Sequence, residues 1–431
     1  MFGLTDRRHF LKHAAGAAAV TVPGLSFLAN LRASAAEMKK KNKSLIILWM
    51  GGGPATIDLW DMKPGTPNGG EHKPVSTTAS GVQITEHLPN VGKQMKHLSV
   101  IRSLRSTEGD HDRGTFLMNT GRRRDPLIDY PAIGSVLSYY QAMDAEAMKH
   151  SDIPAFISVA GGRVGPGFLG MKYASFNVQN PGSPPENVEP PAEARGWRMD
   201  RRAKLFEALE GGFKTNVPAD AAKAHKEVYD KALTLVTSSR KEVFSLDKEP
   251  ASLREEYGNT GFGRGCLLAR KLVEAGVACV EVSLGGWDMH NGIFAALQRT
   301  LPALDKGMAA LTRDLADRGR LKDTVILWMG DFGRTPKINQ NGGRDHWPRC
   351  WSVVVGGGNL KGGVAYGSTN SDGTDIKDNP VDVLGLYATV YKALGIDPTP
   401  QQVADVRDNL GRPYYIAGDK PQWIKELLTN G

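Results

Sequence analysis

Short, mostly apolar runs recur along the chain. Ser44–Met50, Leu98–Leu104, Ala155–Val159, Ala278–Leu284, Val325–Met329 and Ser352–Val355 are of this kind, and most have a Gly or Pro at one end. Runs of this kind predict strands buried on both faces. Two of them end alike, in LWMGGG at 48–53 and LWMGDF at 327–332, which suggests neighbours at one sheet edge. Helical spacing of apolar positions predicts helices at Tyr130–Tyr140, Arg201–Glu210, Ala219–Phe244, Gly261–Glu274, Ala296–Leu315 and Val381–Leu394. Strands alternating with helices imply a mostly parallel sheet covered by helices on both faces. Gly161–Gly196 is rich in Gly, Pro and Asn and reads as a long loop, a candidate lid. With the charged helices after it, this stretch forms an insertion at about 161–250 within a domain spanning 44–431.

The N-terminus has a different pattern. Asp6-Arg7-Arg8-His9-Phe10-Leu11-Lys12 precedes an Ala-rich apolar run, and Ala33-Ser34-Ala35 offers a small-residue cleavage site. Residues 1–35 therefore read as a twin-arginine export signal and 36–43 as a charged linker. Gly16, Pro23, Gly24 and Asn30 interrupt the run, so a retained membrane anchor is the poorer reading. The expected location is periplasmic or secreted, with no stable membrane span after signal removal. The formal net charge of +8 comes with only two short basic runs, in the linker at 39–43 and at Arg122–Arg124, and no aromatic-interleaved patch, so nucleic acid is not implied. The surplus suits an anionic substrate or surface. Cys266, Cys279 and Cys350 are scattered, with no CxxC pair, which argues against a disulfide framework. Nothing in the sequence sets an oligomeric state.

Chemistry-bearing residues cluster just past the predicted strand ends, where open α/β sheets place their ligands. After Leu98–Leu104, His111 stands between Asp110 and Asp112 at the start of a predicted helix carrying Thr115–Met118. A helix start offers free N–H groups and a positive dipole end to phosphate or sulfate. After Ala278–Leu284, Asp288 and His290 share one turn. After Val325–Met329 come Asp331, Arg334, Arg344, Asp345 and His346. Gly51–Gly53 permits close backbone approach but is no phosphate loop, since no Gly-Lys-Ser/Thr follows.

The twin-arginine start, GGGPATIDLWDMKP, FGRGCLLARKLVEAGV, GGWDMHN, GDFGRTP and GRDHWP together resemble the exported family called domain of unknown function 1501, from about residue 44 to the C-terminus. That family resembles the alkaline phosphatase and sulfatase superfamily. The resemblance implies a three-layer α/β/α sandwich and an exported, metal-dependent hydrolase of sulfate or phosphate esters, with polysaccharide as a candidate carrier. Asp288, His290 and His346 resemble one metal site, and Asp331, a position more usually Glu in the family, resembles part of a second. The usual histidine partner of Asp331 is replaced by Phe332. The aspartate expected near Gly52 is missing unless Asp58 or Asp61 substitutes. The nucleophile position falls on His111, with Thr115 the nearest hydroxyl.

Two Asp and two His suffice for one divalent ion, zinc first and calcium as the alternative. In this reading Asp288, His290, Asp331 and His346 are ligands, with Asp58 a further candidate. His111 attacks or serves as general acid/base. Arg113, Arg334 or Arg344 clamps anionic oxygens, unless Arg344 pairs with Asp345. The alternative is a non-catalytic binding protein on a hydrolase scaffold that recognises a polysaccharide or surface partner. The first reading requires the imidazoles of His290 and His346 to come together at the rim of the sheet.

Overall fold

The fold is that of a computed structural model, which describes residues 43–429 except 144–151, 163, 184, 186–187, 189–192, 194–195, 214–218 and 401–405. The export signal and nearly all of the linker therefore lie outside the described residues. The central sheet has eight strands: β1 (Ser44–Met50), β2 (Leu98–Leu104), β3 (Phe156–Val159), β4 (Phe176–Val178), β5 (Cys279–Leu284), β6 (Thr324–Gly330), β7 (Trp351–Gly357) and β8 (Ala365–Tyr366). Their order is β8-β2-β7-β6-β1-β5-β3-β4. β7 runs antiparallel to both its neighbours, and the other pairings are parallel. The mostly parallel sheet expected from the sequence is present.

Alternation along β1 shows how the layers form. Ile46, Leu48 and Met50 belong to one core, with Leu267, Leu268 and Leu272 of a helix at Gly261–Glu274 and Leu297, Leu301 and Leu304 of one at Ile293–Asp317. Leu45, Ile47 and Trp49 belong to the other. There they meet Leu117 of α1 (His111–Thr120), Ile133 and Leu137 of α2 (Ile133–Ala142), and Leu386 and Val390 of a helix at Val383–Ala393. Successive side chains of a strand point to opposite faces, so one fully apolar strand serves two helix layers. The result is a three-layer α/β/α sandwich.

The echoed strand ends do lie together. β1 and β6 are parallel neighbours, with Leu48 opposite Trp328 and Met50 opposite Gly330. The stretch read as a long loop supplies the edge strand β4, which at three residues is too short to show a period. The charged helices form at Trp197–Phe213 and Ala219–Thr237. All three cysteines are free and buried. Among the described residues, no helix is long and apolar enough to cross a membrane.

One buried group works against the fold at low pH. His72 is 5% exposed, and neither ring nitrogen has a hydrogen-bond partner. Its ring lies 4.2 Å from that of His87 and 5.2 Å from that of Phe294, centroid to centroid. Burial first, and the charge of His87 second, push its pKa down from 6.5 to about 4. Between those two values the unfolded chain binds a proton that the native ring refuses, so this site loses stability as the pH falls from 6.5 towards 4. His72→Phe should therefore narrow the gap in urea stability between pH 7 and pH 5. An unchanged gap would show that His72 does not contribute to it.

Candidate metal centre

β5, β1 and β6 end level, with Met50 opposite Leu284 on one side and Gly330 on the other. Three chains leave the sheet at the same edge. Gly51–Gly53 follow β1, Asp288 and His290 follow β5, and Asp331–Arg334 follow β6. Gly333–Arg334 forms a two-residue antiparallel ladder with His346–Trp347. α1 brings in His111 as its first residue, capped by Asp110, whose carboxylate accepts the Arg113 N–H at 3.1 Å. Gly52 is at φ +112°, and a Cβ there would lie 2.6 Å from the Asp288 nitrogen. Only glycine lets these two segments approach so closely.

Each imidazole has its Nδ1 committed. His111 Nδ1 lies 2.5 Å from Asp331 Oδ2. His290 Nδ1 lies 2.8 Å from Asp345 Oδ1. His346 Nδ1 lies 2.7 Å from the Gly109 carbonyl. Carboxylates and carbonyls only accept, so each Nδ1 carries a hydrogen, and each neutral ring turns an Nε2 lone pair outward. All three Nε2 atoms surround Asp288 Oδ1, at 3.2 Å for His111, 3.0 Å for His290 and 3.3 Å for His346. The Nε2 atoms of His290 and His346 are 3.1 Å apart, and His111 Nε2 is buried without a hydrogen-bond partner.

Lone pairs and an anionic oxygen gathered so tightly repel one another unless a cation stands among them. His111, Asp288 and His346 offer ligand atoms that all lie within 4.8 Å of one another, with His290 beside them. Imidazole nitrogens with their other nitrogen tied to a carboxylate or carbonyl, plus one carboxylate, suit a zinc-like divalent ion. The Asp331 hydrogen bond, opposed by burial and helped by the charges of Asp331 and Asp288, raises the His111 pKa. Burial would raise the Asp288 pKa, but Arg334, His346 and His111 together outweigh it and hold that carboxyl far below its ordinary range.

Several expected roles change. His111, expected as the attacking or proton-transferring group, stands among the donors. Asp331, expected as a ligand, stands behind it: Oδ2 holds His111, and Oδ1 accepts the Gly52 N–H at 3.2 Å. Asp58 and Arg344 leave the site altogether. Their side chains are wholly buried and joined by two bonds of 2.7 Å, Nε to Oδ2 and Nη2 to Oδ1. Arg344 also donates to the carbonyls of Asn68, Thr335 and Pro336, so it neither clamps a ligand nor pairs with Asp345. Arg334 is equally enclosed, and backbone carbonyls and Asp288 take its N–H groups. Arg113 is mostly exposed and pairs with Glu108 at 3.3 Å. Thr115 is buried one turn further along α1. Asp61 is tied to Lys63, Arg102 and Thr369. The Gly109 carbonyl was missed because a backbone acceptor leaves no mark in a sequence. Asp345 was visible, but as a partner for Arg344 rather than for His290.

Fold and site together define an α/β protein with a cluster of three histidines and an aspartate at the carboxyl edge of its sheet. The chain belongs to the family described as "Protein of unknown function (DUF1501)", whose sequence model matches residues 42–428. No curated protein matches the sequence. Among solved structures the chain is similar to Ps i-CgsB, at a TM-score of 0.38 and 12% identity, covering 84% of this chain and 74% of that one. It is also similar to PsFucS1 sulfatase from Pseudoalteromonas sp., at a TM-score of 0.36 and 15% identity, covering 95% and 76%. Alkaline phosphatase from the Antarctic bacterium TAB5 is similar at a TM-score of 0.27 and 14% identity, covering 73% and 92%.

Proposed function

We propose that the protein is an exported hydrolase of sulfate or phosphate esters that works with one zinc-like ion held by His111, Asp288 and His346. The observation that carries this reading is the convergence of Nε2 lone pairs on Asp288 Oδ1. A divalent ion bound there would polarise an ester oxygen and make water more acidic near neutral pH. Asp331, Asp345 and the Gly109 carbonyl fix the ring orientations, so the donors need little rearrangement. The Phe332 ring lies 4.9 Å from that of His111 and 4.6 Å from that of His346, an apolar wall that limits water on that side. With His111 and His346 taken up as ion donors, the nucleophile in this reading is a water made more acidic by the ion. Asp288 and His290 are 49% and 37% exposed, and such an open site suits an ester on a polymer, making a sulfated or phosphorylated polysaccharide the first carrier to try.

Purified mature protein should hold about one equivalent of ion, hydrolyse an aryl sulfate or aryl phosphate, lose that activity to a chelator and regain it with Zn2+. Absence of both bound ion and turnover, across simple esters and anionic polysaccharides, would overturn the proposal. One observation favours the second reading, a non-catalytic binding protein: Arg334 and Arg344 are both engaged within the protein and do not reach out to an ester. Retention of a polysaccharide without turnover in the same panel would select it. Export rests on Arg7 and Arg8. Replacing both with Lys should leave the precursor in the cytoplasm, and undiminished export would remove the twin-arginine assignment.

A further inference from the structure

Arg334 divides the donors of the centre. Its side chain is wholly buried, and its nitrogens end on fixed acceptors. Nε donates to the Gly53 carbonyl at 2.7 Å, and Nη2 to the Gly52 carbonyl and to Asp288 Oδ1. Nη1 donates to the Arg344 carbonyl at 3.1 Å and faces His290 Nε2 at 3.2 Å. His290 gives its Nδ1 hydrogen to Asp345, so Nη1 meets the Nε2 lone pair. A lone pair that accepts an N–H cannot bind a cation as well. The guanidinium is itself a cation and repels another from that side of the cluster. His290 Nε2 has a single lone pair and leaves the donor set, whereas the Asp288 carboxylate keeps further lone pairs beside its Arg334 bond and stays with His111 and His346, the trio within 4.8 Å.

The number left is decisive. Four protein ligands close a zinc-like site, whereas three leave a position open for reaction. Resting on the metal-centre reading above, we infer that Arg334 holds His290 out of coordination and so keeps the centre at three protein ligands with one place free. Arg334 is a positioning residue that acts through His290. Its buried frame of glycine carbonyls keeps the guanidinium from swinging away, and the Asp345–His290 bond keeps the lone pair aimed at it.

The test uses Zn2+ and Co2+ alone, bound to the metal-free full-length mature protein. Calorimetry reads affinity, and the visible Co2+ bands read coordination. His290→Ala should leave Zn2+ affinity within about threefold, whereas His346→Ala should lower it more than about a hundredfold. Arg334→Met frees the His290 lone pair. Zn2+ binding should then tighten by on the order of tenfold, and the Co2+ spectrum should change towards a closed four-ligand site. Adding His290→Ala to Arg334→Met should erase both gains. The inference fails, and the metal-centre reading survives, if His290→Ala costs as much Zn2+ affinity as His346→Ala. It fails in the same way if Arg334→Met changes neither affinity nor spectrum. If the wild type takes up neither ion, the metal-centre reading falls and the inference with it. Should Arg334→Met not fold, the comparison of His290→Ala with His346→Ala decides alone.

Discussion

Asp288→Asn is expected to empty the centre and to lower ester hydrolysis by more than about a hundredfold, while the fold persists. The substitution keeps the volume of the side chain but removes the charge on which three imidazoles converge. It also converts part of the acceptor into a donor facing Arg334. His346→Ala should act similarly by removing one lone pair from the trio. Asp331→Ala should be milder, about ten- to a hundredfold, because that carboxylate orients His111 and holds the Gly52 N–H rather than joining the trio. Metal content after dialysis, read beside the far-ultraviolet dichroism, separates loss of the ion from loss of the fold. Full metal retention by Asp288→Asn would remove the centre from the list of cation sites.

Asp58→Ala is expected to cost about 3–5 kcal/mol of stability, because it strands a guanidinium in the core. Asp58 and Arg344 are both wholly buried, and among the described residues the one charge paired with Arg344 is the carboxylate it would lose. Replacing both partners, as in Asp58→Leu with Arg344→Met, should recover most of that loss, since an apolar pair carries no desolvation penalty. Urea unfolding of the single and double variants measures the difference. A single variant as stable as the wild type would contradict the assignment. The pair also matters to the centre, because Arg344 directly precedes Asp345 and His346. A stranded Arg344 should loosen the ladder that presents His346 and weaken metal binding as a side effect.

The sandwich was readable because its longer strands are mostly apolar and its helices periodic. β4 and β8, of three and two residues, were not, since segments so short exist only through their neighbours. The place of the centre was readable as well, because Asp288, His290, Asp331 and His346 all follow strand ends. What the sequence could not assign was orientation. Whether a carboxylate faces the donors or stands behind one of them depends on register and rotamer, and this is how His111 came to stand among the donors with Asp331 behind it. The Asp58–Arg344 bond was hidden by a separation of 286 positions. Arg344 read as an anion clamp or as the partner of Asp345, yet geometry gave that carboxylate to His290.

The strand order also bears on synthesis. β1 is the first strand made, yet its partners are β5 and β6, and β6 ends at Gly330. β2 waits longer still, for Trp351–Gly357 and Ala365–Tyr366. A chain emerging from the ribosome therefore carries its two longest early strands with bare edges until most of the polypeptide exists. Such contacts close slowly and leave apolar segments open to aggregation meanwhile. A long interval with unpaired strand edges, lasting until the final pairing strands are made, follows from placing the earliest of these strands near the centre of the sheet.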